Sequence, residues 1–372
     1  MGMRQVLVTG CSSGIGLAVA VRLAKDELKR FKVVATMRDV EKRAALEAAA
    51  GETLGRSLEI HKLDVCCEDS IRECENSLPD RHLDILGEYN LFIFSAQRNN
   101  SFRCHAVCYH TPSSHRHITV SVYILCSSNL MMLFVYSVSN AGMGMIGPLE
   151  CQSLTSIQNL FNTNFFGLVR LVKEVLPDMK RRRSGHIVVM SSVMGVQEFR
   201  PVELCLLAEL LFNDVYAASK FAVEGLCKSL AVQAMNFNIK MSLVEPGPVL
   251  TEFERKVYEE AKNMDLSETD DETARIFREL YLPYSEKVFS SLGQSPEEVA
   301  EQTLQLIVSK DPPFRHQTNH LYTPMTSMKH ADPTGHLPLD AFYKIIFQHD
   351  RVFNVSLGIM RFLQRRMRKP KV

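Results

Sequence analysis

The constraint that most narrows the fold is a rhythm, in which short apolar runs alternate with helical patterns from the first residues onward. Gln5–Thr9 reads as a strand, the next residues as a Gly/Ser turn, and Ile15 to Leu28 as an amphipathic helix. Lys32–Thr36 and Leu58–Leu63 repeat the strand pattern, with an Ala/Glu-rich helix around Val40–Ala50 between them. After residue 140 the rhythm resumes: helices near 151–165 and 166–180, a strand at His186–Met190, a long helix from Asn213 to Met235 and a strand at Lys240–Val244. Parallel strands need a crossover of a dozen or more residues, usually a helix, and are then covered on both faces. The expected fold class is therefore α/β, a doubly wound Rossmann fold with helices on both faces of a parallel sheet. A single domain spans 1–311; a Pro/His-rich linker (DPPFRHQTNH) opens a C-terminal extension over 312–372.

Two segments break the rhythm. Residues 87–138 hold four of the 12 His and three of the 10 Cys and lack a clean period. Residues 198–210 (EFRPVELCLLAEL) separate a strand-end serine from the next helix. Leu83–Leu86 (LDIL) starts an apolar strand that breaks off, and Leu133–Val138 starts one again before Asn140-Ala141-Gly142. An insertion inside a buried strand conflicts with the surface placement of loops, so both segments read as sequence extraneous to the domain, of the kind left by unspliced or misassigned exons. The fold survives if 133–138 replaces the interrupted strand and 87–132 loops out, since closure entropy grows slowly with loop length. Cys104, His105, Cys108, His110, His115 and His117 lie close in sequence but have no regular ligand framework around them, so no metal site is expected. The apolar run Ile118–Val138 is rich in Ser, Thr and Asn and must feed a strand, which argues against a membrane span.

A formal net charge of +1 argues against nucleic acid as a partner. Ten cysteines without regular pairing fit a reduced, cytoplasmic chain, and MGMRQVLVTG runs straight into a strand, with no secretory leader and no myristoylation pattern.

The turn Thr9-Gly10-Cys11-Ser12-Ser13-Gly14-Ile15-Gly16 joins the first strand to the first helix. Glycines there let backbone approach a pyrophosphate, and the free N–H groups of the helix start attract its charge. At the end of the second strand an acid would bind ribose hydroxyls; Met37-Arg38 stands there instead, which favours the 2′-phosphate of NADP(H). Asp64, ending the third strand, is placed either to receive the adenine amino group or to cap the next helix. Tyr216 and Lys220 lie four apart on one helix face, with Ala217 and Ala218 leaving room for a ribose. A nearby ammonium is expected to lower the phenol's pKa, so that Tyr216 exchanges a proton with a carbonyl or alcohol. Ser191 and Ser192 end one neighbouring strand, and Val244-Glu-Pro-Gly-Pro248 ends another with a rigid turn at Pro246 and Gly247 suited to a nicotinamide edge.

With TGCSSGIG, Asp64, SNAG at 139–142, Asn164 in NTNFFG, Ser192, YAASK and EPGPV in this order, the sequence resembles the classical short-chain dehydrogenase/reductase family. The resemblance implies a catalytic tetrad of Asn164, Ser192, Tyr216 and Lys220, with Asn164 holding a water in the proton relay. The fourth strand should then run through without a break. Asp84 and Asn140 are 56 positions apart where the family needs about five, and Ser192 and Tyr216 are 24 apart where about thirteen is usual. Removing about 51 and about 11 residues leaves roughly 310, an ordinary length for such a domain.

The stretches FNDVYAASKFAVEGLCKSLAVQ, LPDMKRRRSGHIVVMSS and VEPGPVLTEF are similar to the branch holding retinol and 17β-hydroxysteroid dehydrogenases. It implies a small hydrophobic substrate, contacted by Ser192, Met143, Met145, Phe253, Phe277, Tyr281 and Tyr284, and a homodimer. The steroid enzymes are expected to carry a His where FRELYLPYSEK places Tyr284, which favours NADPH-dependent reduction of all-trans-retinal over that of estrone. A third alternative is a variant that binds nucleotide but is silenced by its insertions. In the tail, Val352, Val355, Ile359, Phe362 and Leu363 form an apolar stripe followed by Arg361, Arg365, Arg366, Arg368, Lys369 and Lys371. This end fits peripheral contact with an intracellular membrane as well as it fits a solvated helix.

Overall fold

A computed structural model describes residues 3–77, 134–195 and 211–319, together with 343, 344, 347 and 362. Its centre is a seven-stranded sheet in the order β3-β2-β1-β4-β5-β6-β7, parallel throughout. The strands are β1 (Arg4–Val8), β2 (Phe31–Met37), β3 (Leu58–Lys62), β4 (Phe134–Ser139), β5 (Gly185–Met190), β6 (Ile239–Glu245) and β7 (Arg315–Gln317). The doubly wound Rossmann fold expected from the strand–helix rhythm is the fold found.

Helices cover both faces. On one side α1 (Gly14–Ala24), α2 (Ala44–Ala50) and α10 (Pro296–Val308) pack Val19, Leu23, Leu46, Val299 and Leu304 against Val6, Val33, Val138 and Val244. On the other, α3 (Glu68–Asn76), α5 (Gly167–Arg182) and α6 (Asp214–Met235) bury Ile71, Leu171, Val175, Val223 and Cys227 against Leu7, Val34, Ile187 and Leu243. Alternate strand residues thus feed opposite layers, as the period of two requires. Between β6 and α10, the helices α7 (Glu252–Lys262), α8 (Asp271–Arg275) and α9 (Leu282–Leu292) build a smaller apolar cluster around Val257, Phe277 and Tyr281. The short α4 (Leu154–Phe161) runs through a π-helical turn, Asn162–Phe166, into α5, so the two helices expected near 151–180 are one rod with a bulge.

The second beginning of the fourth strand is the one used. β4 pairs with β1 (Val8↔Val138) and with β5 (Val138↔Val188), at the middle of the sheet. Its register against β1 slips between Gln5 and Val6, so the chain enters the sheet through a bulge. LDIL, the Cys/His cluster, the first odd segment up to residue 133 and the whole of 198–210 lie outside the described residues. The linker expectation needs correcting: within DPPFRHQTNH, Arg315–Gln317 form β7, paired with Leu243–Glu245, so the sheet extends past residue 311. Three residues are too short to show a strand period; the edge of β6 recruits them through backbone hydrogen bonds, including Leu243 N to Phe314 O at 2.7 Å.

The turn after β1 approaches the end of β4 so closely that side chains are excluded. A Cβ on Gly16 would lie 2.3 Å from Gly10 O and 2.4 Å from Asn140 Nδ2. By contrast Gly225, exposed on α6, has open space around it. Gly16→Ala is therefore expected to lower the melting temperature, because backbone must move, whereas Gly225→Ala should stabilise by about 0.5–1 kcal/mol through helix propensity. Paired thermal melts check both signs.

Candidate active site

At the carboxyl ends of β1, β4, β5 and β6 lies a cavity of about 460 Å³, at the point where strand order reverses. Its nucleotide half begins at the glycine turn. Gly10 (φ +70°) and Gly14 (φ +61°) adopt left-handed conformations that favour glycine. α1 starts at Gly14 with Ser13 at its N-cap position making no side-chain cap, so first-turn N–H groups face the cavity uncapped by that residue. Thr9 lies beneath, buried, its hydroxyl accepting from the backbone N–H of Asn140 (3.0 Å) and Ala141 (3.2 Å). The Asn140 amide donates to the carbonyl oxygens of Thr9 (3.2 Å) and Gly10 (3.3 Å). Asn140 therefore works as a brace for the turn, and Gly10, Ser12, Ser13, Gly14, Ile15, Ala141 and Gly142 line the space above it. Thr9 and Gly16 support this lining from behind. The residues fit a dinucleotide: backbone donors, a helix start and glycines where a Cβ would obstruct.

Met37, Arg38, Asp64, Pro246 and Gly247 also line the cavity, as expected. Asp64 keeps one carboxylate oxygen on the Cys66 N–H (2.9 Å), a local turn, and does not cap the next helix, whose N-cap position is Cys67. Lys42, which sequence reasoning missed, joins Arg38 at this end. The available signal was a second cation four residues on, in the turn leading to α2. Asp39, the acid between them, accepts from Glu41 N (3.1 Å) and pairs with Lys42 at 3.6 Å.

The polar centre gathers residues from three elements. Lys220, buried on α6, donates to Met190 O (3.1 Å), and its Nζ sits 5.7 Å from the Tyr216 ring centroid. Ser192 lines the cavity with Tyr216, near enough for its hydroxyl to favour the phenolate, and its Oγ accepts from Met194 N at 3.1 Å. Ser191 turns its hydroxyl the other way, to Glu224 Oε1 at 2.7 Å. Asn164 sits at the π-helical turn, where the bulge re-aims its side chain. Its Oδ1 accepts from Met143 N (2.7 Å) and its Nδ2 donates to Met143 O (2.9 Å) and Ser219 Oγ (3.1 Å). The amide thus clamps the Gly142–Met143 backbone beside the glycine turn.

The expected lowering of the Tyr216 pKa is also corrected. Burial raises it well above the ordinary phenol range, the Glu254 charge adds to the rise, and the Ser192 hydrogen bond opposes it. Burial simultaneously pushes Lys220 down to about 8. Tyr216 is consequently a protonated donor at neutral pH.

On the substrate side Met143, Met145, Phe253 and Tyr281 line the cavity. Phe277 and Tyr284 do not. Phe277 is fully buried in the outer cluster, stacked with Tyr281 and edge-on to Phe212. Helical period alone could not separate a cavity wall from the layer behind it. Asn213, Ile146, Val257, Tyr258, Ser285, Phe289 and Glu254 complete the wall. Glu254, pushed up to about 8 by burial, is the unexpected member.

The chain belongs to the short-chain dehydrogenase family, whose profile matches residues 4–90 and 128–262. The match is interrupted over 91–127, inside the first odd segment, and runs through 198–210. The class of protein that this fold defines is a nicotinamide-dependent oxidoreductase. Human retinol dehydrogenase 8 is 45% identical over 354 residues, 95% of this chain and 94% of the relative. Human 17-beta-hydroxysteroid dehydrogenase type 1 is 35% identical over 349 residues, 93% of this chain and 87% of the relative. A Burkholderia phymatum short chain dehydrogenase/reductase solved in complex with NAD shares the fold at TM-score 0.60 and 18% identity, covering 89% of this chain and 94% of that one. Among the described residues no helix is long and apolar enough to cross a membrane.

Glu254 carries a stability consequence. Its folded pKa exceeds the unfolded value, so the folded state holds the proton more tightly and stability falls as pH rises from about 4.5 towards 8. Glu254→Gln should leave melting at pH 5 nearly unchanged and raise it at pH 8.5 by about 3 °C or more, read by thermal melts at the two pH values.

Proposed function

We propose that the chain is an NADP(H)-dependent retinol dehydrogenase that reduces all-trans-retinal to all-trans-retinol and runs in reverse with NADP. The observation that carries the reading is the convergence of Ser192, Tyr216 and Lys220 at the junction between the glycine cradle and an apolar cavity. When bound, a nicotinamide supplies the hydride. Ser192 polarises the carbonyl oxygen, Tyr216 gives it a proton, and Lys220 holds positive charge beside the phenol. A phenol raised by burial keeps its proton at neutral pH, which supports the reductive direction. Arg38 and Lys42, with Asp39 already engaged, support the 2′-phosphate reading over NAD(H).

Preference for retinal over estrone rests on the higher identity to the retinol enzyme and on the methionine- and phenylalanine-lined wall. Tyr284 is not among the residues that line the cavity, although Tyr281 and Ser285 beside it are. Estrone reduction stays as the second reading because a 17β-hydroxysteroid relative matches nearly the whole chain. Against the silent variant stands the meeting of Ser192, Tyr216 and Lys220 in one cavity despite the long segment between them. Peripheral membrane contact through the basic tail and a homodimer belong to the same reading. Phe362 in that tail is exposed, as are Leu154, Phe166 and Phe221 on the body.

Three assays follow. NADPH oxidation with all-trans-retinal should exceed that with estrone, and the reverse ranking would establish the steroid reading. Tyr216→Phe should reduce kcat by about 10²–10⁴-fold with NADPH binding retained. The Arg38→Ala, Lys42→Ala pair should raise KM for NADPH by about 10–100-fold and leave that for NADH within twofold.

A further inference from the structure

Outside the cavity, a charged cluster of two buried carboxylates and a part-exposed guanidinium has no part in the reaction as described. Arg315, on β7, places Nη2 2.7 Å from Glu224 Oε2 and Nη1 2.5 Å from Glu245 Oε1. The Glu224 and Glu245 side chains are 7% and 0% exposed, so removing a partner would strand a buried charge. Each carboxylate stands beside a working part of the site. Glu224 follows Lys220 by one helical turn on α6, and its Oε1 accepts from Ser191, the residue before Ser192. Glu245 ends β6 immediately before Pro246 and Gly247. Backbone contacts close the arrangement: Ser191 N donates to Val244 O (2.8 Å), Val193 N to Pro246 O (3.0 Å), and Lys220 Nζ to Met190 O. Gly195 permits the close packing, since a Cβ there would lie 3.1 Å from both Lys220 O and Glu224 Cγ.

We propose that Arg315 and Glu224 are positioning residues: the guanidinium brought by the last strand holds Glu224 against the Ser191–Ser192 strand end, and the Glu224 carboxylate holds the Lys220 side of α6 in register with Ser192 and Tyr216. The inference builds on the reading of Ser192, Tyr216 and Lys220 as the reacting centre. Two carboxylates share one guanidinium, and the Lys220 ammonium lies one turn from Glu224. The charged groups around Glu224 are Arg315 from β7, Glu245 from β6 and Lys220 on its own helix. Glu224 supports the Lys220 ammonium against the burial that opposes it, while burial and the Glu224 charge lift Glu245 to about 7.

The test uses the full chain with Glu224→Gln, which keeps an acceptor for Ser191 and removes the charge. NADPH binding is expected within twofold of the wild type and kcat about tenfold lower. The basic limb of the kcat pH profile should move about 0.5–1 unit towards acid, because Lys220 loses its proton earlier without the neighbouring carboxylate. Arg315→Lys should recover most of the kcat that Arg315→Met loses. Titration of the Lys220 side chain by NMR, with carbon-13-labelled lysine assigned through Lys220→Arg, gives a readout independent of turnover. A Lys220 midpoint and pH profile that stay in place in Glu224→Gln overturn the proposal, as does Arg315→Met with wild-type kcat. If Glu224→Gln fails to bind NADPH, the decision falls to the two Arg315 variants: an Arg315→Lys no better than Arg315→Met overturns the proposal. If the wild type reduces neither retinal nor estrone while the Lys220 midpoint still shifts, the functional reading fails and the positioning role stands.

Discussion

The molecule depends on one close approach, that of the turn after β1 to the end of β4. Gly16 packs on the Gly10 carbonyl, and the Asn140 amide closes over both, held there by Thr9. No side chain fits between these backbones, so the glycine turn takes its shape from a strand more than a hundred residues away. β4 thereby does two jobs. It fills the centre of the sheet between β1 and β5, and it supplies Asn140–Gly142 to the cavity floor. A chain whose fourth strand was lost would lose the cradle as well as the core.

That dependence explains how the odd segment is tolerated. Any strand entering this slot must be apolar, parallel to β1 and finish at Asn140. Phe134–Ser139 meets those demands after a single bulge at its entry. The second odd segment ends in a similar anchor. Phe212, in a left-handed conformation, accepts from Gly147 N through its carbonyl and meets Phe277 and Tyr281 edge-on. Asn213 then donates to the Tyr281 hydroxyl at 2.7 Å, and α6 starts at the next residue. Tyr216 is placed by these contacts and by the packing of α6, whatever the length of chain before it.

Electrostatically the site is dry and mixed. Burial lifts Tyr216 and Glu254, lowers Lys220, and leaves Arg315 to stabilise two carboxylates behind the serine strand. A buried phenol that keeps its proton can donate it, and walls of Met, Phe and Val suit a small hydrophobic molecule. The cost is stability at alkaline pH, where buried carboxyls must ionise.

Sequence alone determined the architecture, because strand and helix periods, the Gly/Ser turn and the Tyr–Lys spacing are local patterns that packing then only confirms. It identified the turn, the serine strand end and Tyr216-Lys220 from residue type and spacing. Tertiary structure decided what depends on approach across the chain. It turned Ser191 towards Glu224 and put Phe277 behind the wall. It also drew Lys42 and Glu254 into the cavity and recruited Arg315–Gln317 as a strand from what reads as linker. These outcomes share a physical reason: burial, backbone pairing and charge proximity arise between segments far apart in sequence, and no local period records them.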